Sequence, residues 1–154
     1  MTRAANARSG QAGFSLLELL VALGILAIGL ALVVPSFNRT RSALVVRGAA
    51  YEIASHLRAA RASANSKSVQ HVLVFDAAAR RYWAEGVVAP RTLPQSVAFE
   101  LVVPESERSG RTGRIRFLPD GSASGGRVIL KDGKESWAVL VDWLSGDVRV
   151  LAGS

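Results

Sequence analysis

A long apolar run near the beginning is the feature that most restricts how this chain can fold. Residues 16–34 are apolar or small except for Glu18, and Pro35 closes the run. Up to Phe37 the segment is about 22 residues long, close to the roughly 20 that a helix needs to span hydrocarbon. The sequence therefore predicts a membrane-spanning helix over residues 14–37. A carboxylate at mid-membrane depth costs about 2.5 kcal/mol or more, so Glu18 indicates a functional position.

The residues before the run suggest a partner for this carboxylate. Residues 1–13 are polar and contain two arginines but no acidic residue. A cut after Gly13 would give Phe14 a new α-amine, four residues before Glu18. A helix places residues four apart on one face, so the amine and the carboxylate could neutralise each other within one chain or between neighbouring chains.

The motif GFSLLE at residues 13–18, followed by the apolar run, resembles the prepilin signature of type IV pilins and type II secretion pseudopilins. The resemblance implies that a prepilin peptidase cuts between Gly13 and Phe14 and then N-methylates Phe14. It also implies that Glu18 serves in assembly and that Pro35 bends the helix. The mature chain would then begin at Phe14, and residues 1–13 would be a leader peptide.

Two other kinds of N-terminal segment compete with this interpretation. A secretory signal peptide is cut after its apolar region, behind small residues such as those at 27–31, but it would not carry Glu18 inside that region. A plain signal anchor explains the hydrophobicity but neither the Gly13-Phe14 pair nor Glu18. Ser15 stands where threonine is commoner in prepilins, which is a mild departure from the pattern.

Beyond Pro35 the periodicity predicts that the helix continues as an amphipathic segment over residues 38–66, and that a β-rich domain follows over residues 67–154. The apolar stripe of this segment recurs at three- and four-residue steps and should pack on a core; it consists of Val46, Ala50, Ile53, Leu57, Ala60 and Ala64. Predicted strands cover residues 69–75, 80–84, 97–103, 114–118, 126–131, 137–143 and 147–151. Residues 105–113 are polar and are predicted to form a mobile loop.

These elements predict an α+β fold of the pilin-like type, in which a long N-terminal helix, first transmembrane and then amphipathic, packs on an antiparallel β-sheet domain. Two later segments narrow the resemblance to the minor pseudopilin H branch. They are RFLPDGSASGGRV at residues 116–128 and VDWLSGDV at residues 141–148, and they look like turns and hairpins whose first role is in folding. Asp147 departs from the branch, which usually has a basic residue there.

The resemblance implies a structural role as a minor pseudopilin in the type II secretion pseudopilus, which supports the export of folded proteins across the outer membrane. The implied partners are other major and minor pseudopilins, the inner-membrane secretion platform and the prepilin peptidase. The implied location is the bacterial inner membrane, with a single pass and the C-terminal domain in the periplasm. This orientation rests on the resemblance, because Arg39, Arg41 and Arg47 follow the apolar run and local charge does not place the leader in the cytoplasm.

No set of residues with catalytic spacing emerges, so the chain is predicted not to be an enzyme and to need no cofactor or metal. His56 and His71 are the two histidines, and the sequence has no cysteine, so the usual ligand sets of a zinc site are absent from the sequence. The glycine-rich segment at residues 121–126 lacks the Lys-Ser/Thr ending of a phosphate-binding loop.

DNA binding is the alternative function, since a related branch of minor type IV pilins binds DNA during uptake. The net charge of +7 permits it. Arginines supply phosphate contacts and aromatic rings can stack on bases. The candidate residues are Arg108, Arg111, Arg114 and Arg116 around the polar loop, together with Arg80, Arg81, Tyr82 and Trp83. Glu105 and Glu107 dilute the positive charge of the loop, and nucleic acid is therefore the less favoured partner.

Overall fold

The computed structural model describes residues 15–84 and 86–153, without the side chains of residues 31–40. The chain divides into two compact units, the first ending at Asn38 and the second beginning at Arg39. Helix α1, Leu16–Lys67, contributes to both units. Its bounds lie within two residues of the helix predicted from the apolar run and the amphipathic stripe.

In the first unit, the large apolar side chains from Leu16 to Leu30 are all more than half exposed. No helix in the described part of the chain combines the length and the hydropathy needed to cross a bilayer. The prediction of a membrane-spanning segment over residues 14–37 therefore stays a prediction from sequence.

In the second unit, α1 presents one apolar stripe to the core. All six stripe residues predicted from the periodicity are fully buried. Ala49 and Ala54 join them, because a stripe that packs under two sheets is wider than a single row of side chains. Truncating a central stripe residue such as Leu57 would leave a cavity and cost about 2–5 kcal/mol.

Nine strands follow the helix and form two antiparallel sheets. The strands are β1 (His71–Asp76), β2 (Arg81–Ala84), β3 (Val88–Thr92), β4 (Ala98–Val102), β5 (Arg108–Ser109), β6 (Thr112–Phe117), β7 (Gly126–Asp132), β8 (Glu135–Val141) and β9 (Val148–Ala152). The five-stranded sheet has the order β3-β2-β1-β6-β5, and the four-stranded sheet has the order β4-β7-β8-β9. This arrangement confirms the predicted α+β class.

The core lies between α1 and the inner faces of these sheets. Alternate residues of the central strands are buried, as the two-residue period of a strand requires. From the five-stranded sheet come Leu73, Phe75, Tyr82, Ile115 and Phe117, and from the four-stranded sheet come Val128, Leu130, Val139, Val141 and Val148. Tyr82 is thus a core residue, so it is not accessible to stack on a base.

Two sequence predictions about this unit were wrong. Strand β3 was missed because Pro90 and polar neighbours obscure it; as an edge strand it tolerates a proline. Residues 105–113 were predicted to be a loop, but they contain a short 3-10 helix (Glu105–Glu107), strand β5 and the start of β6. Glu107 is buried there. The ion pairs that hold its carboxylate could not be predicted from the neighbouring residues.

Candidate functional site

The prepilin-like motif is only partly within the described residues, since Gly13 and Phe14 lie outside them. Ser15 is the N-cap of α1: its Oγ accepts a hydrogen bond from the Glu18 backbone N–H at 3.1 Å. A serine N-cap followed three residues later by glutamate is the sequence pattern of a capping box. The prediction from sequence missed this role of Ser15, although the Ser-x-x-Glu spacing could have indicated it.

Glu18 therefore lies in the first turn of α1, where its charge is favourable to the helix dipole. Pro35 lies within the bounds of α1, and its side chain is not described. The roles of Glu18 in assembly and of Pro35 in bending the helix stay predictions.

The two C-terminal motifs that narrowed the resemblance are in contact with each other. The Ala123 backbone N–H donates to the Trp143 carbonyl oxygen at 2.9 Å. Gly146 has φ +66° and lies so close to the Gly121 carbonyl oxygen that a Cβ at position 146 would collide with it. The connection between β6 and β7 therefore packs directly against the turn between β8 and β9.

Two arginines of α1 bind the segment that contains the turn between β8 and β9. Arg58 Nη2 donates to the Val148 carbonyl oxygen at 2.6 Å, and Arg61 Nη2 donates to the Ser145 carbonyl oxygen at 2.7 Å. Each bond joins residues more than eighty positions apart in the chain. Neither bond was predictable from the sequence, because an arginine beside an apolar stripe looks like an ordinary solvated residue.

Aspartates set the geometry of both turns. Asp120 Oδ1 accepts from the backbone N–H and the hydroxyl of Ser122. Asp142 Oδ1 accepts from the backbone N–H groups of Leu144 and Ser145 at 3.1 and 2.8 Å, and from the Ser145 hydroxyl at 2.9 Å. These are side-chain-stabilised turns. Both motifs contain turns, as predicted from the sequence, and the statement that their first role is in folding stays a prediction.

We expect the Asp142 turn to make stability depend on acid. The hydrogen bonds from Ser145, followed by the one from Leu144, hold the pKa of Asp142 below its ordinary value of 3.8. A carboxylate whose pKa is lower in the folded state stabilises the fold at pH values above its ordinary pKa. This stabilisation is lost as the pH falls through the folded-state pKa. Thermal melts between about pH 5 and about pH 2.5 should therefore show a smaller loss of stability in Asp142→Asn than in the wild type.

The matched control is Asp132→Asn in the β7–β8 hairpin, which should retain the pH dependence of the wild type. An Asp142→Asn variant whose melting temperature falls with pH as steeply as the wild type would contradict the assignment.

The arginines proposed for DNA binding are partly engaged within the domain. Arg116 Nε donates to Glu107 Oε1 at 3.0 Å and its Nη2 donates to Oε2 at 3.4 Å. Arg114 Nε lies 3.4 Å from Glu107 Oε2. The hydrogen bond to Glu107 raises the pKa of Arg116. The cluster is thus an ordered ion-pair network on β6 and the 3-10 helix, and not the flexible basic loop that was predicted.

Both histidines contact neighbouring hydroxyl groups. His56 Nδ1 lies 2.9 Å from Tyr82 Oη, and His71 Nε2 lies 3.0 Å from Ser63 Oγ. Burial, followed by the negative charge of Glu52, raises the pKa of Tyr82, so its phenol stays neutral. The described residues contain no group of three or more metal-ligating side chains.

Comparison with known proteins gives two matching family models and two informative relatives. Residues 8–34 match the prokaryotic N-terminal methylation motif, and residues 49–146 match the type II transport protein GspH family. The type II secretion system protein H of Xanthomonas campestris pv. campestris is 29% identical over 138 residues, which cover 89% of this chain and 81% of that protein. The minor pseudopilin EpsH from the type 2 secretion system of Vibrio cholerae has a TM-score of 0.59 at 14% identity, covering 70% of this chain and 97% of that one.

The fold and the N-terminal motif first define a class, that of pilin-like proteins with a methylation motif that overlaps the start of a long helix. The GspH model then covers well over half of the chain, including the first C-terminal motif and residues 141–146 of the second. The chain belongs to the GspH family of type II transport proteins, the minor pseudopilins of type II secretion. This membership does not favour the alternative function in DNA uptake.

Proposed function

We propose that this pseudopilin is made as a single-pass precursor in the bacterial inner membrane, with residues 14–37 spanning the bilayer and its β-rich domain in the periplasm. The observation that carries the proposal is the presence on one chain of the methylation motif at residues 8–34 and the GspH region at residues 49–146. The apolar run of residues 16–34 supports the anchor by its length and composition.

Within this proposal, a prepilin peptidase cuts between Gly13 and Phe14 and N-methylates Phe14. The mature chain then joins other major and minor pseudopilins in the pseudopilus, in contact with the inner-membrane platform. Trp143 and Leu144 project into solvent from the turn between β8 and β9 and offer apolar area for such contacts.

The role of Glu18 follows from the energetics of an acid in an apolar segment. Its carboxylate is costly in lipid unless a positive group neutralises it. The α-amine of Phe14 on an adjacent subunit is such a group, and it exists only after cleavage. Coupling assembly to cleavage in this way would keep precursors out of the pseudopilus.

The chain acts as a structural part, without turnover of its own. Its relatives are components of the secretion machine, and the described histidines and buried carboxylate are occupied in contacts that hold the fold.

Processing at Gly13 is tested by mass spectrometry of the chain extracted from membranes of cells with an active prepilin peptidase. The expected N-terminus is N-methylated Phe14, because a residue as small as Gly13 fits a peptidase cleft that a bulky side chain would block. Gly13→Leu should leave the leader attached, whereas the control Gly10→Leu should be processed normally. An intact leader on the wild type, or a cut near Ala31, would show that the segment is not a prepilin leader.

A further inference from the structure

The outer face of the five-stranded sheet, opposite the core, carries a set of arginines around an aromatic side chain. Cross-strand register aligns Trp83 of β2 with Val74 of β1 and Val74 with Arg114 of β6. Arg81 and Arg116 lie on the same face in the neighbouring rows, because side chains two residues apart share a face. We call these five residues the arginine face.

The charged groups of this face that are exposed to solvent are mainly positive. The side chains of Arg81, Arg114 and Arg116 are 52%, 37% and 28% exposed, whereas those of their acidic partners Asp76 and Glu107 are only 17% and 9% exposed. The carboxylates therefore sit beneath the guanidinium groups. Three arginines against two carboxylates leave an excess of positive charge among these side chains.

The ion pairs also hold the guanidinium groups in place before any partner binds. Arg116 makes two hydrogen bonds to Glu107, and Arg81 lies 5.4 Å above the Trp83 ring while its Nε is 3.8 Å from Asp76. Side chains that are already ordered lose less conformational entropy on binding. Trp83 and Val74 are partly exposed between the arginines and provide an apolar contact.

We propose that the arginine face binds an acidic protein segment, with carboxylates on Arg81 and Arg114 and an apolar side chain on Trp83 and Val74. Arg81 and Arg114 lie on strands separated by β1 and in neighbouring rows, so their Cα atoms are about 12 Å apart. In an extended segment, carboxylates two residues before and two residues after one apolar residue point to the same side as that residue and are about 13 Å apart, which matches this spacing. Charge complementarity identifies the partner as acidic.

A protein segment fits this face better than a nucleic acid does. The Arg81 guanidinium lies over one face of the Trp83 ring and so competes with an unpaired base for stacking on that face. Tyr82, the neighbouring aromatic residue, is buried in the core. The arginine face thus offers guanidinium groups beside a small apolar area, and one side of its aromatic ring is already occupied by Arg81.

The test measures binding of a fluorescein-labelled peptide, Asp-Glu-Phe-Asp-Glu, to the full chain in a non-ionic detergent at low salt. Arg81→Gln and Arg114→Gln should each weaken binding about fivefold, the upper range for one exposed charge pair. Arg149→Gln is the matched control, since it removes an exposed arginine on the four-stranded sheet and should leave binding unchanged. The amide peptide Asn-Gln-Phe-Asn-Gln should not bind.

Several outcomes would overturn the proposal. They are no binding of the acidic peptide by the wild type, equal binding of the amide peptide, or an equal loss in Arg149→Gln. A single-stranded oligonucleotide of matched charge that binds more tightly, and loses binding in the same two variants, would assign the face to nucleic acid instead. Arg81 is half exposed and its ion pair with Asp76 is long, at 3.8 Å, so Arg81→Gln should leave the sheet folded and tests the face even if Arg114→Gln unfolds it. Because the peptide assay needs neither cleavage nor assembly, its failure is distinct from failure of the proposed function.

Discussion

Replacing Glu18 with alanine should reduce incorporation into the pseudopilus on the order of tenfold or more, while cleavage and protein level persist. The substitution leaves the α-amine of a neighbouring Phe14 without its partner in a poorly polar setting, and an unpaired charge in such a setting costs several kcal/mol. The melting temperature of the second unit should not change, because Glu18 belongs to the first unit. The measurement is crosslinking to other pseudopilins in cells, beside Glu52→Ala as a control for loss of an exposed acid on the same helix.

The capping geometry at the start of α1 adds a second arm to this experiment. Glu18→Gln removes the charge but keeps a side chain that can complete a capping box, and Ser15→Ala removes the N-cap while keeping the charge. If charge neutralisation controls assembly, Glu18→Gln fails and Ser15→Ala assembles. Normal crosslinking and secretion in both Glu18 variants would contradict the charge pair, and rescue by glutamine alone would point to hydrogen bonding.

Gly146→Ala should destabilise the second unit by about 3 kcal/mol or more and lower its melting temperature by about 10 °C. Two costs add: a residue with a Cβ is strained at φ +66°, by about 1–2 kcal/mol, and the new methyl group collides with the Gly121 carbonyl oxygen. Since that oxygen is part of the backbone, relief requires the two motif segments to separate. Chemical denaturation of the detergent-solubilised chain measures the effect.

The chain offers a matched control in Gly133. It has φ +61°, and a Cβ there would meet no atom within 4 Å. Gly133→Ala should therefore cost only the backbone strain, about 1 kcal/mol. The difference between the two variants isolates the contact between the turns, and equal destabilisation by both would show that this contact adds nothing.

Regular periodicity made the helix and most strands predictable. The stripe from Val46 to Ala64 is buried as its spacing requires, because a helix that packs on a core must place its apolar residues on one side. The hairpin around Ser145 followed from local turn chemistry, since an aspartate and a glycine set the backbone within a few residues. The family motifs were also readable, because each is a continuous segment.

Contacts between distant segments were not predictable in this way. Pro90 concealed β3, because only the position of a strand at the edge of its sheet shows whether a proline is tolerated. Glu107 looked like a solvated loop residue until Arg114 and Arg116 were found on the adjacent strand.

The local sequence of this protein therefore contains its N-terminal motif, its helix and most of its strands, since these depend on neighbouring residues and on a regular period of side chains. The tertiary structure alone shows which charges are neutralised and which stay available. Arg58 and Arg61 hold a turn more than eighty residues away, and Arg116 holds a buried carboxylate, whereas Arg81 remains half exposed over Trp83. The energy of an ion pair depends on distance and burial, and neither quantity is encoded in the local pattern of the chain.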